Sequence, residues 1–159
     1  MKESRTSFTS VSTLIKTIVA IGLFLAMPVQ AEEAPAGFSM GNGEQSWIKT
    51  EGATREGKVL TFKEVSISRN GWLVMHPFEN GTPNGDKYVA ATYVESGTNN
   101  NVEIEVYKGA ETGEMFIVML HHDLNENGVF DFVFVDDRNV MDRAVFEGPR
   151  MIGHAIPSP

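Results

Sequence analysis

The chain has 159 residues, 13 basic and 21 acidic side chains, a formal net charge of −8 and no cysteine. That length supports one domain plus a targeting segment. The missing thiols exclude disulfides, thiolate zinc sites, Fe–S clusters, blue-copper sites, cysteine nucleophiles and a lipid-bearing cysteine, and the acidic balance argues against nucleic acid or anionic membrane as partners.

Residues 1–31 read as a secretory signal peptide. Lys2, Arg5 and Lys16 precede an apolar run from Ile18 to Met27, Pro28 breaks it, and Val29-Gln30-Ala31 places small residues at −3 and −1 of a cleavage site. An uncleaved anchor is the competing reading, but the run falls short of the roughly 20 apolar residues a span needs. Cleavage takes the net charge from −8 to −10, because three basic residues and one acidic residue leave. The expected location is periplasmic or secreted, with no stable membrane insertion after cleavage.

Residues 32–46, with Glu-Glu-Ala-Pro-Ala-Gly near their start, lack periodicity and read as a flexible leader. Strand patterns follow at Trp47–Thr50, Val59–Ile67, Trp72–His76, Tyr88–Val94, Val102–Tyr107, Met115–His122, Phe130–Val135 and Met151–Ile156. Val102-Glu103-Ile104-Glu105-Val106 alternates as a half-buried strand does, whereas Met115 to Leu120 is apolar on both faces, as a central strand is. Asn-Gly occurs five times. Both residues tolerate the positive φ of tight turns, so Asn70-Gly71 and Asn127-Gly128 read as hairpin corners. The expectation is an all-β domain over 47–156, an antiparallel, immunoglobulin-like β-sandwich of about seven to eight strands. A closed barrel competes with it. Residues 157–159 form a tail that Pro157 and Pro159 keep out of any ladder.

Three segments carry a family resemblance: Asn-Gly-Trp-Leu-Val-Met-His (70–76), Tyr-Val-Glu-Ser-Gly-Thr-Asn-Asn-Asn-Val (93–102) and Met-Leu-His-His-Asp-Leu-Asn-Glu-Asn-Gly-Val-Phe-Asp-Phe (119–132). Their order resembles domain of unknown function 7282, an extracytoplasmic family common in secreted proteins of halophilic archaea and present in bacteria. Asn70 stands where a second glycine is frequent, and His122 replaces a small polar residue. The resemblance implies a secreted β-sandwich and no activity.

Two constellations point to metal chemistry. Asp123, Asn125, Asn127 and Asp131 place oxygen ligands along a turn ending in glycine, as a calcium loop begins, although position twelve is Phe134 rather than glutamate. A hairpin whose Asx side chains bond their own backbone explains the same pattern. His121, His122 and His154, with methionines nearby, suit copper. If strand directions simply alternate, His76 ends an odd strand and His121 an even one, so the two stand at opposite poles. Trp47, Trp72, Tyr88, Tyr93, Tyr107 and Phe116 invite a sugar platform but fit core or cross-strand positions equally well. No nucleophile-elbow, zinc-protease or phosphate-loop motif occurs. The expected role is therefore a non-catalytic binding or structural module with an unknown protein or envelope ligand. A periplasmic copper-binding protein is the alternative.

Overall fold

The computed structural model describes residues 39–159 except 109, 136, 137 and 140. The signal-peptide reading and the first part of the leader fall outside those residues. The described chain forms strands β1 (Ser39–Gly41), β2 (Trp47–Ile48), β3 (Thr54–Glu56), β4 (Val59–Ile67), β5 (Gly71–Glu79), β6 (Thr82–Pro83), β7 (Ala90–Val94), β8 (Gly97–Glu105), β9 (Met115–His122), β10 (Phe134–Val135), β11 (Arg138–Asn139), β12 (Arg143–Ala144), β13 (Phe146–Glu147) and β14 (Arg150–Pro157), and no helix. The larger sheet runs β1-β14-β9-β5-β6, with β7 beside β5, β12 beside β9 and β13 beside β14. The smaller runs β2-β4-β3 with β8 beside β4, and β10–β11 form a separate ribbon.

The two sheets close on one core, and the domain is an all-β sandwich. Ile48, Leu60, Phe62, Val65, Ile67 and Ile104 from the smaller sheet meet Leu73, Met75, Phe116, Val118, Leu120 and Ile152 from the larger. Each of these larger side chains contributes roughly 1.5–3 kcal/mol on burial. Strands alternate their faces, so the intervening residues of β5 and β9 point to the far side of the larger sheet. There Ile117, Met119 and Met151 form a second cluster with Phe78 and Ala144. This second layer is why β9 is apolar throughout.

Several corners differ from the sequence reading. Asn70-Gly71 carries the chain between sheets, since β4 pairs with β8 and β5 with β9. Of the described Asn-Gly pairs, Asn80-Gly81 forms a two-residue hairpin, with φ of 53° and 78° and Glu79 opposite Thr82, as a primed turn requires. No ladder joins β9 to β10, so Asp123–Asp131 is a loop rather than a hairpin. Strand pairing in 130–135 is confined to Phe134 and Val135, because Phe130 and Phe132 instead cover the far face of the larger sheet, against Trp72, His76 and His121. Residues 97–101, before the strand expected from Val102, already lie within β8.

Both ends of the domain are longer than expected. Residues 39–41, read as leader, form β1, which pairs parallel with β14 as Ser39↔Arg150 and Gly41↔Ile152. Pro157, read as tail, pairs with Met115. The Ser158 N–H then donates to the Glu114 carbonyl at 2.8 Å, and the Gly113 N–H donates to the Ser158 carbonyl at 2.9 Å. Proline fits there because the next donor, not its own nitrogen, continues the pairing.

Candidate functional site

The far face of the larger sheet carries a buried histidine pair. Antiparallel register sets Trp72 opposite His121 and His76 opposite Ile117, so both imidazoles leave the same face and meet above Val74 and Met119. His76 is 0% exposed and His121 3%. Their Nε2 atoms stand 3.2 Å apart, and the rings stack with centroids 5.4 Å apart. The expected separation of these residues to opposite poles is overturned. The strands do run in opposite directions, but β5 continues three residues past His76, so His76 is not at a strand end.

Backbone carbonyls fix the protons of both rings. His76 Nδ1 lies 2.6 Å from the Lys87 carbonyl oxygen and His121 Nδ1 lies 2.8 Å from that of Asp142. A carbonyl only accepts, so each Nδ1 carries the hydrogen and each neutral ring turns an Nε2 lone pair toward the other. Burial pushes the His121 ring down to about 3, opposed by the Asp142 carbonyl and reinforced by His76 and His122. Burial also lowers His76, against the Lys87 carbonyl and the Asp86 charge. At neutral pH two uncharged rings therefore face one another through their Nε2 atoms. They open onto a cavity of about 640 Å³ that Met40, Met119 and Met151 also line, with Asp86 at its wall.

The other sequence candidates are dispersed. His122, the next residue of β9, faces the opposite side of the sheet, with its Nε2 3.1 Å from Ser68 Oγ. His154, opposite Val118, donates from Nε2 to Asn42 Oδ1 at 2.8 Å. The copper set His121, His122 and His154 is thus not assembled. Its one member at a shared site is joined by His76, which the parity argument had set aside. No three His, Cys, Asp or Glu side chains converge among the described residues, and the pair was invisible to a ligand count because its further neighbours are thioethers. Only the β5–β9 register could have found it, and that register was not legible.

The 123–131 loop holds itself closed. Asp123 accepts the N–H groups of Asn127 at 3.3 Å and Gly128 at 2.9 Å. Asn125 and Asn127 donate their amide N–H to Asp131 at 2.9 and 2.8 Å, and these two bonds hold the Asp131 carboxyl below its ordinary range. Asp123, Asn125, Asn127 and Asp131 do come together, but through mutual bonds of the Asx type. The aromatic candidates do not share one face. Trp72 packs on Phe130 and edge-on to Tyr93, Tyr88 packs on Phe130 and Phe132, Phe116 is core, Trp47 donates to Glu64 at 2.8 Å, and Tyr107 is exposed.

Over residues 46–149, most of the chain and both histidine strands, the sequence matches the family described as a domain of unknown function, DUF7282. The chain belongs to the DUF7282 family. No curated protein and no solved structure matches it. As a DUF7282 domain it is a β-sandwich module, and the matched span contains every residue of the histidine pair's cross-strand frame. Met40 and Met151 of the cavity wall lie just outside that span.

Proposed function

We propose that this DUF7282 protein is an exported, non-catalytic binding module that holds one metal ion between His76 and His121. The observation that carries this reading is the 3.2 Å approach of two Nε2 atoms in rings whose Nδ1 atoms are both committed to carbonyls. Facing lone pairs in a buried site repel unless a cation lies between them, and a metal ion there would accept from both at once. Carbonyl-anchored imidazoles are the usual outer support of metal-bound histidine. The N-terminal segment supports export, and the lack of catalytic motifs supports a binding role.

Thermal melts and calorimetric titration of the purified protein with Zn²⁺, Cu⁺ and Ca²⁺ test it. The expected result is a 1:1 complex with Zn²⁺ or Cu⁺ that raises the melting temperature. It is lost in His76→Ala and His121→Ala and kept in His122→Ala and His154→Ala. Ca²⁺ produces no shift, because the 123–131 loop satisfies its carboxylates internally. Absence of any Zn²⁺ or Cu⁺ complex, or one that survives both His76→Ala and His121→Ala, defeats the proposal.

A further inference from the structure

Resting on the paired-imidazole reading, we propose that the ion held there is monovalent copper, with thioether sulfur from the cavity wall completing its coordination. The bite of the pair is the first argument. At a metal–nitrogen distance of about 2.0–2.1 Å, a 3.2 Å separation between Nε2 atoms subtends about 100–105°. That angle belongs to a three- or four-coordinate ion and leaves one or two positions open. A linear two-imidazole complex would need the nitrogens about 4 Å apart.

What lines the rest of the cavity decides the metal. Met119 is 5% exposed and Met151 9%, and both stand in the cavity with the histidines, while Met40 sits at its more open side. Ile117 and Ala144 supply apolar walls. Imidazole suits several divalent ions as well as copper, but thioether donors select Cu⁺, while harder divalent ions want oxygen from carboxylate, carbonyl or water. The chain has no cysteine, and the carboxylate at the wall, Asp86, belongs to an exposed residue. Two imidazoles and two thioethers are all neutral, so the complex keeps the full ionic charge. In an apolar cavity a single positive charge costs much less to bury than two. Charge and softness choose Cu⁺ among the three- and four-coordinate ions that the bite angle admits.

The test separates this inference from the reading beneath it. Anaerobic competition against a colorimetric Cu⁺ chelator gives the Cu⁺ affinity, and calorimetry gives that of Zn²⁺. The conservative pair Met119→Leu and Met151→Leu keeps core volume and is measured beside His121→Ala. The expected result is tighter binding of Cu⁺ than of Zn²⁺, with movement of the Met119 and Met151 methyl resonances when Cu⁺ or its redox-inert surrogate Ag⁺ is added. The double leucine variant weakens Cu⁺ on the order of tenfold or more, no less than the loss of an outer-shell partner does, and leaves Zn²⁺ unchanged. Zn²⁺ binding tighter than Cu⁺, or a leucine variant with undiminished Cu⁺ affinity, overturns the copper assignment while the paired-imidazole reading stands. Failure of both ions removes both.

Discussion

Gly71 shows how one residue positions the histidine pair. It opens β5 opposite His122, and a Cβ there would run into the His121 carbonyl oxygen, with Ile67 and the His122 backbone also close. Its φ is not positive, so glycine is required by proximity rather than by conformation. Gly71→Ala forces β5 away from β9 at the level of His121. Overpacking of this kind costs about 1–3 kcal/mol, and urea unfolding measures it. Gly81→Ala, at φ 78° in an open turn, costs only about 1 kcal/mol. A smaller loss at Gly71 than at Gly81 would contradict the close approach. Neither glycine was legible as such: Asn-Gly announced turns at both, and only one is a hairpin corner. The chain spells the permission for a tight turn, not which strands flank it.

Among the elements, the turn before β2 is held from a distance by β13. Glu147 accepts the backbone N–H groups of Glu44 at 2.7 Å, Gln45 at 3.1 Å and Ser46 at 2.7 Å. Burial works to raise the Glu147 carboxyl, but these donors outweigh it and hold the group below its ordinary value of 4.5. The unfolded carboxyl thus binds its proton at higher pH than the folded one. The stabilisation is complete above about pH 4.5 and disappears as pH falls through the lower folded value. Glu147→Gln is expected to lower stability by about 2 kcal/mol at pH 7, with a gap to wild type that narrows below pH 4.5 in acid melts. A gap constant down to pH 2 would sink this account. Such a contact, a hundred residues apart in the chain, was unreadable from local pattern, and residues 44–46 passed for leader because nothing apolar marks them. β4 and β9 were legible to the residue because their side-chain patterns are intrinsic: β4 alternates over its first half and is buried through its last three residues, and β9 is buried on both faces. Residues 130–133 look like a strand for the same reason that they cover one. Their phenylalanines are half-buried, and burial does not reveal ladder pairing.

At the scale of the molecule, the acidic surface and apolar far face serve different ends. The net charge of −8 adds mutual repulsion between copies, while the histidine cavity is partly covered by a second layer of loops and short strands over the larger sheet. The sandwich itself could be foreseen from strand count and turn spacing. The second layer could not, because it depends on β9 being central and on which of its neighbours is β5. The fold was thus readable one strand at a time, and the site only through register. One consequence follows from the parallel seam of β1 and β14. Met40, on the first described strand, reaches the cavity only when Met151, on the last, lies alongside it. Closing a loop of that span is among the slowest contacts a chain makes. In stopped-flow refolding, Met40 should therefore come to wall the open side of the cavity no earlier than the final kinetic phase, after β5, β9 and β14 have already brought His76, His121, Met119 and Met151 together, like a clasp fastened after the garment is on.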